Sequence, residues 1–425
     1  MRAVSLEAGL VGMSLACAPA GVASDWPQYR GVSGAAVTQE TLQWPKGGPK
    51  QLWTTDTPTG FSSFAVSKGK TYTLVARTVE GAPLTLCLAL DAATGKELWG
   101  TPTGVAKFPS GGDRGAEGNS GGDGPRSTPA ANGERVFIYS ADMLLYCLDA
   151  NNGREVWKKD IAKEFGGRNI GWKSALSPLI EGDLVCVAGG GQGESMLAFK
   201  QANGELAWKS GDAAMTHATP TAATIGGVRQ IIYLMQTGLV SVNATSGELL
   251  WKFPFPYLTA TGCSPVVGGD IVFCTAGYEV GGAACQVIKT ANGFEAKQLW
   301  RTRGNSTAAS LWSTPVQKDG YLYGMLSHKE FADGPLKCIE LKTGTLKWQQ
   351  PGFGTGNLLL ADKYLVALAD NGEVVVAEAS PESYKEIGRF KALTGKCWSS
   401  PAWSQGRLFV RSTQVGACFD FTSNN

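Results

Sequence analysis

The chain has 425 residues, of which 43% are hydrophobic and 17% charged, with a formal net charge of +2. The charges are dispersed and form no basic stripe, so the sequence gives no support to nucleic-acid binding or to adsorption on an acidic membrane. Two histidines are too few for a multi-histidine metal site, and we expect no metal centre.

The first 23 residues have the pattern of a secretory signal peptide. Arg2 gives a positive start, residues 9–20 are small and apolar, and Ala23 ends a small-residue cleavage site. The apolar stretch is too short to span a bilayer. We therefore expect an exported protein, periplasmic or extracellular and without a transmembrane segment; a lipid anchor at Cys17 is the alternative that we favour less, because the lipoprotein box is imperfect.

Residues 24–50 form an N-terminal segment that opens with the motif Asp25-Trp-Pro-Gln-Tyr-Arg-Gly31. Residues 51–53, which end in Trp53, have the pattern of an outer strand without a preceding hairpin. From here to residue 425 every segment belongs to one repeat, so we expect a single folded domain over 51–425.

The main repeat is a turn followed by a tryptophan. Asp91-Ala-Ala-Thr-Gly95-Lys-Glu-Leu-Trp99 is one copy, in which polar side chains and a glycine favour a tight turn between two strands. The tryptophan then lies on the outgoing strand, where its ring can bury against a neighbouring unit. Related copies end at Trp157, Trp208, Trp251 and Trp348, a stretched copy ends at Trp300, and Phe390 takes the position in a degenerate unit.

A second repeat is phased with the first and consists of a threonine or serine before a proline. The prolines are 42 to 50 residues apart, except that the last interval is 86 residues and contains one unit without the proline. Each precedes a hydrophobic run, as expected for proline at the start of a strand. The dipeptides end at Pro129, Pro178, Pro220, Pro265, Pro315 and Pro401.

These repeats predict an all-β, eight-bladed β-propeller of four-stranded antiparallel blades. Residues 397–421 supply three strands, and the strand at 51–53 would complete the last blade and close the ring. Closure of the ring removes exposed sheet edges with which another chain could pair, so we expect a monomer. The alternative is a seven-bladed ring in which the degenerate unit is an insertion.

The same register predicts a binding site. Three residues before each proline lie Arg126, Ala175, His217, Gly262, Trp312 and Trp398, which would surround one mouth of the channel. Arginine, histidine and tryptophan there could stack on and orient a planar or extended ligand, and Trp172 and Lys173 lie near the same face. The alternative is that the tryptophans only pack neighbouring strands and that His217 is an ordinary strand-end histidine.

The glycine-rich residues 110–124 interrupt the second unit and form a predicted flexible flap that carries Asp113, Glu117 and Asp123. Their spacing fits no EF-hand, so we interpret the segment as a solvated loop rather than a calcium site; beside the channel face it could act as a lid or a partner-binding flap. Most cysteines occupy strand positions and are expected to be buried free thiols. Cys274 and Cys285 flank one turn and could pair across it.

The turn-and-tryptophan phrase resembles the repeat of the pyrroloquinoline-quinone (PQQ)-like propeller superfamily, over nearly the whole chain after the signal peptide. This superfamily includes quinone-dependent dehydrogenases as well as the non-catalytic outer-membrane assembly lipoprotein BamB, so the resemblance specifies the architecture better than the function. Dehydrogenases of this kind hold the quinone beside Ca²⁺ and often carry adjacent cysteines. This chain has no Cys-Cys pair and no acidic residue just before the Thr/Ser-Pro steps.

We therefore expect a non-catalytic binding or assembly scaffold in the cell envelope, without a cofactor. Its partners would be envelope proteins or extended peptide segments, held at the channel mouth or along a blade edge. The alternative is a PQQ-dependent alcohol or sugar dehydrogenase with PQQ and calcium over the channel.

Overall fold

The computed structural model of the protein describes residues 25–106, 124–305, 307–328 and 333–422. The predicted signal peptide and the flap residues Asp113, Glu117 and Asp123 lie outside these ranges. Within them the fold is all-β apart from one short helix, Ile161–Glu164, and no helix in the described ranges has the length and apolar character needed to cross a membrane.

Eight sheets of four antiparallel strands, formed by the described residues, are arranged as the blades of a propeller. The innermost strands are Ala65–Ser67, Ala130–Ala131, Leu179–Glu181, Thr221–Ile225, Val266–Gly268, Val316–Lys318, Asn357–Ala361 and Ala402–Ser404. The second strands are Lys70–Val79, Arg135–Tyr139, Leu184–Ala188, Val228–Met235, Ile271–Ala276, Tyr321–Gly324, Tyr364–Leu368 and Arg407–Arg411. We number the blades one to eight in this order.

The outer half of each blade is a hairpin. The third strands are Ala82–Asp91, Leu144–Asp149, Met196–Lys200, Gly238–Asn243, Gly281–Thr290, Leu336–Glu340, Glu373–Glu378 and Val415–Asp420. The outermost strands are Glu97–Val105, Glu155–Asp160, Leu206–Ser210, Leu249–Pro254, Gly293–Arg301, Leu346–Gln350, Glu386–Lys391 and, in the eighth blade, Lys50–Asp56. The prediction of eight blades is confirmed, and the seven-bladed alternative is wrong because residues 357–391 form a complete blade.

The ring closes as the sequence predicted. Lys50–Asp56 pairs antiparallel with Val415–Asp420, with Trp53 opposite Cys418. The innermost strands of the first and eighth blades also contact each other. Arg411 lies at this junction, fully buried, and donates hydrogen bonds to the carbonyl oxygens of Leu74 (2.7 Å) and Thr59 (2.8 Å) in the chain that leads into and forms the first blade. Burial lowers the pKa of this guanidinium to about 9.

The repeated tryptophans join neighbouring blades. The indole N–H of Trp53 donates to the carbonyl oxygen of Ala92 in the next blade at 3.0 Å, and a Cβ placed on Gly95 would lie 2.6 Å from the same ring. Glycine is therefore required in this turn for two reasons: its φ is +72°, and a side chain here would collide with the Trp53 ring. Equivalent indole–carbonyl bonds link Trp99 to Ala150, Trp157 to Gln201, Trp208 to Ala244, Trp300 to Leu341 and Trp348 to Ser380.

The stretched fifth repeat breaks this pattern. Its third and outermost strands continue to Thr290 and Gly293, so the turn stands farther out than in the other blades. The indole of Trp251 in the fourth blade instead donates to Gln230 Oε1 of its own blade, at 2.7 Å. Phe390 of the degenerate seventh blade packs edge-on against Phe419 of the eighth, so it takes the expected place between blades.

The N-terminal segment runs through the centre of the ring. We call residues 25–40 the channel segment. It pairs with innermost strands by backbone contacts, antiparallel between Trp26 and Val66 and parallel between Val37–Thr38 and Leu360–Ala361. Glu40 accepts hydrogen bonds from Trp403 Nε1 at 2.9 Å and from the Gly406 amide at 2.7 Å in the eighth blade.

The expectation of buried thiols is confirmed for the cysteines in the described ranges, all of which are free and buried. The suggested pairing of Cys274 with Cys285 is wrong. Cys274 lies opposite Ala283, and Cys285 lies opposite Val272, so the register places the two thiols on a diagonal. Burial raises the pKa of the Cys285 thiol to about 12, which keeps it protonated and unreactive at neutral pH.

Candidate functional site

One mouth of the channel opens into a cavity of about 320 Å³, which we call the mouth cavity. All six positions that lie three residues before a repeated proline line it, together with Trp172. The remaining lining residues are Tyr29, Phe61, Ser177, Thr219, Ala260, Tyr278, Leu311, Asn357 and Ser400. Because the innermost strands start side by side around the channel, residues at one register position of successive repeats converge on this cavity.

The Thr/Ser-Pro steps form hydrogen bonds between blades at the wall of the cavity. A hydroxyl of one blade accepts from the backbone N–H at the equivalent position of the preceding blade, which leaves the hydroxyl hydrogen available. The bonds are Ser63 N–H to Thr128 Oγ1 (2.9 Å), Thr128 N–H to Ser177 Oγ (2.9 Å), Ser177 N–H to Thr219 Oγ1 (2.9 Å) and Ser264 N–H to Thr314 Oγ1 (3.0 Å).

Three aromatic rings form one wall of the cavity. Phe61 stacks on Trp398 with ring centroids 4.9 Å apart, and Trp312 lies 4.6 Å from Trp398 at a tilt of 33°. Trp398 is only 9% exposed, so it mainly packs between the other two rings, whereas Trp312 is half-buried. The Trp312 indole N–H donates to the carbonyl oxygen of Thr355 at 3.0 Å, which fixes the ring.

Residues 169–173, which we call the rim loop, cross the edge of the cavity. Arg126 Nη1 donates to the carbonyl oxygen of Trp172 at 3.1 Å, and His217 Nε2 lies 2.9 Å from that of Gly171. Lys173 does not line the cavity; its ammonium lies 2.6 Å from Asp142 Oδ1. Arg126 and His217, two of the predicted site residues, therefore hold the rim loop, which carries Trp172, a third predicted site residue.

His217 is neutral at physiological pH. The pKa of its imidazole is lowered to about 4, chiefly by burial and also by the nearby Arg126 charge, while the bond to Gly171 acts in the opposite direction. A neutral imidazole that bonds a carbonyl through Nε2 carries its proton there. Nδ1 is then an acceptor, and it has no hydrogen-bond partner among the described residues.

The channel segment closes the cavity from below. Tyr29 lines the cavity, and the adjacent Arg30 is buried and donates to the carbonyl oxygens of Thr314 (2.8 Å) and Pro315 (2.7 Å) in the sixth unit. Gln28 bonds to Ile180 of the third blade through its Oε1, at 2.6 Å. The channel segment therefore forms the inner end of the mouth cavity.

The donor set of the cavity does not fit the calcium–quinone alternative. No carboxylate is among its described lining residues, and the described part of the chain holds no cluster of three or more histidine, cysteine or acidic side chains arranged for a metal ion. Calcium prefers several oxygen ligands that include carboxylates. Among the described lining residues, Asn357 offers an amide oxygen, and hydroxyl oxygens come from Ser177, Thr219, Ser400, Tyr29 and Tyr278.

Phe61 and Asn357 were missed in the sequence because their units lack the Thr/Ser-Pro step. Phe64 directly precedes the innermost strand of the first blade, at the position that proline takes in the other units, and Phe61 lies three residues before Phe64. An alignment of the innermost strands could therefore have found Phe61. Asn357 starts the innermost strand of the seventh blade. Tyr29 gave no such signal, since nothing in the opening motif indicates that it enters the channel.

Eight blades, six of them joined to the next blade by an indole hydrogen bond, with a cavity at one mouth, define a propeller of the PQQ-like repeat superfamily. Residues 85–350 match the family described as "Outer membrane protein assembly factor BamB", and the chain belongs to this family.

Among similar proteins is the outer membrane protein assembly factor BamB of Moranella endobia, 24% identical over 259 residues, or 59% of this chain. The match spans 63% of that relative's length. The crystal structure of BamB from Moraxella catarrhalis has a TM-score of 0.60 at 14% identity and covers 89% of this chain and 99% of that one. Quinohemoprotein alcohol dehydrogenase from Comamonas testosteroni has a TM-score of 0.64 at 11% identity, over 94% of this chain and 81% of that one. These two likenesses show the fold alone.

Proposed function

We propose that this protein is a non-catalytic binding scaffold of the cell envelope that takes part in outer-membrane protein assembly and binds its ligand or partner at the mouth cavity. Family membership supports the assembly role. The observation that carries the binding role is the composition of the cavity: aromatic rings, hydroxyls and an amide, one neutral imidazole already engaged with the rim loop, and no carboxylate among the described lining residues.

This set of groups suits binding better than catalysis. A general acid or base needs a group whose pKa is near the working pH, and the pKa of His217 is about 4. The Ser177 and Thr219 hydroxyls accept hydrogen bonds from backbone amides, and among the described residues neither is hydrogen-bonded to a histidine or a carboxylate that could activate it as a nucleophile. A recessed aromatic site with a few polar groups is instead typical of a pocket that holds an anchoring side chain or a small ligand.

We expect the exported protein to face the periplasm, where an extended segment of a partner can reach the cavity. Trp172 is 37% exposed at the rim and offers the first contact. The outermost strands leave further edges to which a partner strand could add, as in other β-augmented complexes.

The experiment is capture of envelope proteins by the purified, tagged protein, with a photo-crosslinking amino acid in place of Trp172. Leu249, which is 45% exposed on the outermost strand of the fourth blade, carries the crosslinker in the control. We expect adducts with components of outer-membrane assembly from position 172 and fewer from position 249. Arg126→Ala and Trp312→Ala should weaken capture; if both variants capture partners as well as the wild type does, the mouth is the wrong face.

The dehydrogenase alternative has its own test. The protein is titrated with PQQ and Ca²⁺, and the reduction of an electron-accepting dye is followed with alcohols and sugars. Stoichiometric uptake of the quinone with turnover would overturn the scaffold assignment. We expect neither.

A further inference from the structure

The rim loop holds an aromatic side chain in a strained position over the mouth cavity. Trp172 and Lys173 are consecutive non-glycine residues with φ of 61° and 60°. A left-handed conformation is unfavourable for a residue that has a Cβ atom. Strain of this kind persists only where the surrounding structure imposes it, and it is concentrated at functional sites.

Four contacts from three other parts of the chain impose this conformation. Two come from Arg126 and His217, which hold the carbonyls of Trp172 and Gly171. The other two are the bond from Asn169 Nδ2 to the Ala141 carbonyl (2.8 Å) and the ion pair of Lys173 with Asp142 (2.6 Å). The result is a fixed backbone beneath a large aromatic side chain that lines the cavity and stays 37% exposed.

Below the rim, the wall offers both donors and acceptors and is almost neutral. Asn357 donates through Nδ2 to the Trp398 carbonyl at 2.7 Å, but its Oδ1 has no partner among the described residues, nor has Ser400 Oγ. Ser177 and Thr219 accept from backbone amides and keep a hydroxyl hydrogen. A buried polar atom without a partner is destabilising, and a hydrogen bond from a ligand hydroxyl can offset that loss.

We propose that the mouth cavity binds a neutral saccharide ring, the end unit of a glycan, with Trp172 and Trp312 as its stacking surfaces and Arg126 and His217 as positioning residues that act through the rim loop. The inference rests on the proposed function insofar as it names a ligand for the same site. A sugar presents an apolar C–H face to an indole, and its hydroxyls both donate and accept. The C–H face therefore matches the indole rings of the cavity. The sugar hydroxyls match the unpaired acceptors and the hydroxyl hydrogens of the cavity wall.

Other ligand classes match less well. A carboxylate or phosphate would find one cation on the cavity wall, Arg126, whose guanidinium already binds the rim loop. A divalent cation would find no carboxylate among the described lining residues. An apolar side chain would leave Asn357 Oδ1 and Ser400 Oγ without partners. The cavity volume of about 320 Å³ suits one or two rings, with the rest of the glycan outside.

The test is a titration of the whole exported protein with methyl glycosides of glucose, galactose and N-acetylglucosamine and with their disaccharides, followed by calorimetry and tryptophan fluorescence. We expect at least one of them to bind with one-to-one stoichiometry and to change the fluorescence. Trp172→Ala should weaken that binding at least ~10-fold, as expected for loss of an aromatic anchor. Leu249→Ala is the matched control and should bind as the wild type does.

The positioning role has a separate readout. His217→Ala should weaken binding of the saccharide, whereas His217→Gln, whose amide can donate to the Gly171 carbonyl, should restore it to within about threefold of the wild type. Thermal unfolding of each variant establishes that it is folded.

Failure to bind any saccharide of the panel by the folded protein, or wild-type affinity of Trp172→Ala, would overturn the inference. The proposed function is tested independently. If saccharides fail while crosslinking from position 172 still captures envelope proteins, only the sugar inference is wrong; if both fail, the mouth cavity is not a binding site.

Discussion

Burial keeps the imidazole of His217 in the mouth cavity neutral, although its hydrogen bond to Gly171 favours the protonated form. In the folded protein its pKa is about 4, below the value of 6.5 expected when the chain is unfolded. Between about pH 4 and pH 6.5 this imidazole binds a proton in the unfolded chain but not in the folded chain. Stability is therefore greatest above about pH 6.5 and falls as the pH decreases toward 4.

This dependence predicts a difference between two proteins. From pH 7 to pH 4 the wild type should lose about 3 kcal/mol of its free energy of unfolding through His217 alone, because each unit of pKa shift corresponds to about 1.4 kcal/mol. His217→Gln, which cannot take up a proton at this position, should lose less by about that amount. Denaturant unfolding at several pH values measures the difference, and parallel curves for the two proteins would contradict the lowered pKa.

The register of the repeat was enough to find six positions that line the cavity, since residues at one place in each repeat must meet around the channel. It was not enough to find what Arg126 and His217 touch. Their contacts are the carbonyls of the rim loop, and the path of that loop depends on Asp142 and Ala141 in the second blade, far from any repeated motif. The part of the site that depends on non-repeating loops could not be predicted from periodicity.

At the scale of the elements, the contact between an indole and a turn glycine holds five of the hairpins against the preceding blade. The sequence predicted this contact because a tryptophan four residues after a glycine lies on the outgoing strand. It could not predict the exception at Trp251, because the length of the fifth hairpin, and not its residue types, moves the turn out of reach.

Two glycine substitutions separate the contact from the backbone conformation. Gly95 and Gly81 both have positive φ, of +72° and +81°, but a Cβ on Gly81 would meet no atom within 4 Å. Gly81→Ala should therefore cost only the conformational strain, about 1 kcal/mol. Gly95→Ala must also displace the Trp53 ring and should cost about 3 kcal/mol or more.

Thermal or denaturant unfolding measures both glycine variants against the wild type. Equal losses for Gly95→Ala and Gly81→Ala would mean that the indole does not rest on the turn. A selective loss for Gly95→Ala would also be accompanied by a change in tryptophan fluorescence, since Trp53 must move.

At the scale of the whole molecule, the eighth blade combines strands from both ends of the described chain. The orphan strand at 51–53 and the incomplete unit at 397–421 predicted this closure together. The route of the channel segment was not predicted, because Trp26, Gln28 and Arg30 contact backbone groups of several blades, and such contacts leave no pattern in the sequence.

Closure predicts a specific cross-link. Lys50 and Asp420 are directly opposite in the eighth blade, and opposite residues of antiparallel strands are close enough for a disulfide. Lys50→Cys with Asp420→Cys should therefore oxidise to an internal disulfide without unfolding. The oxidised form should be more stable than the same variant after reduction by about 4 kcal/mol, because the bond closes most of the chain into one loop.

Non-reducing electrophoresis and denaturant unfolding of both forms check this cross-link, with Lys50→Cys alone as the control. If the thiols react only after the protein is unfolded, the two strands are not neighbours in the native ring.

The channel segment also sets the order in which this chain can mature. Residues 25–40 are synthesised before any of the blades, yet the Glu40 carboxylate accepts its hydrogen bond from Trp403, 363 positions later. The channel segment can therefore complete its contacts only after the last blade has been synthesised. A copy truncated before that blade would leave the strand at 50–56 without its pairing partner. The eighth blade can therefore form only after its C-terminal strands have been synthesised.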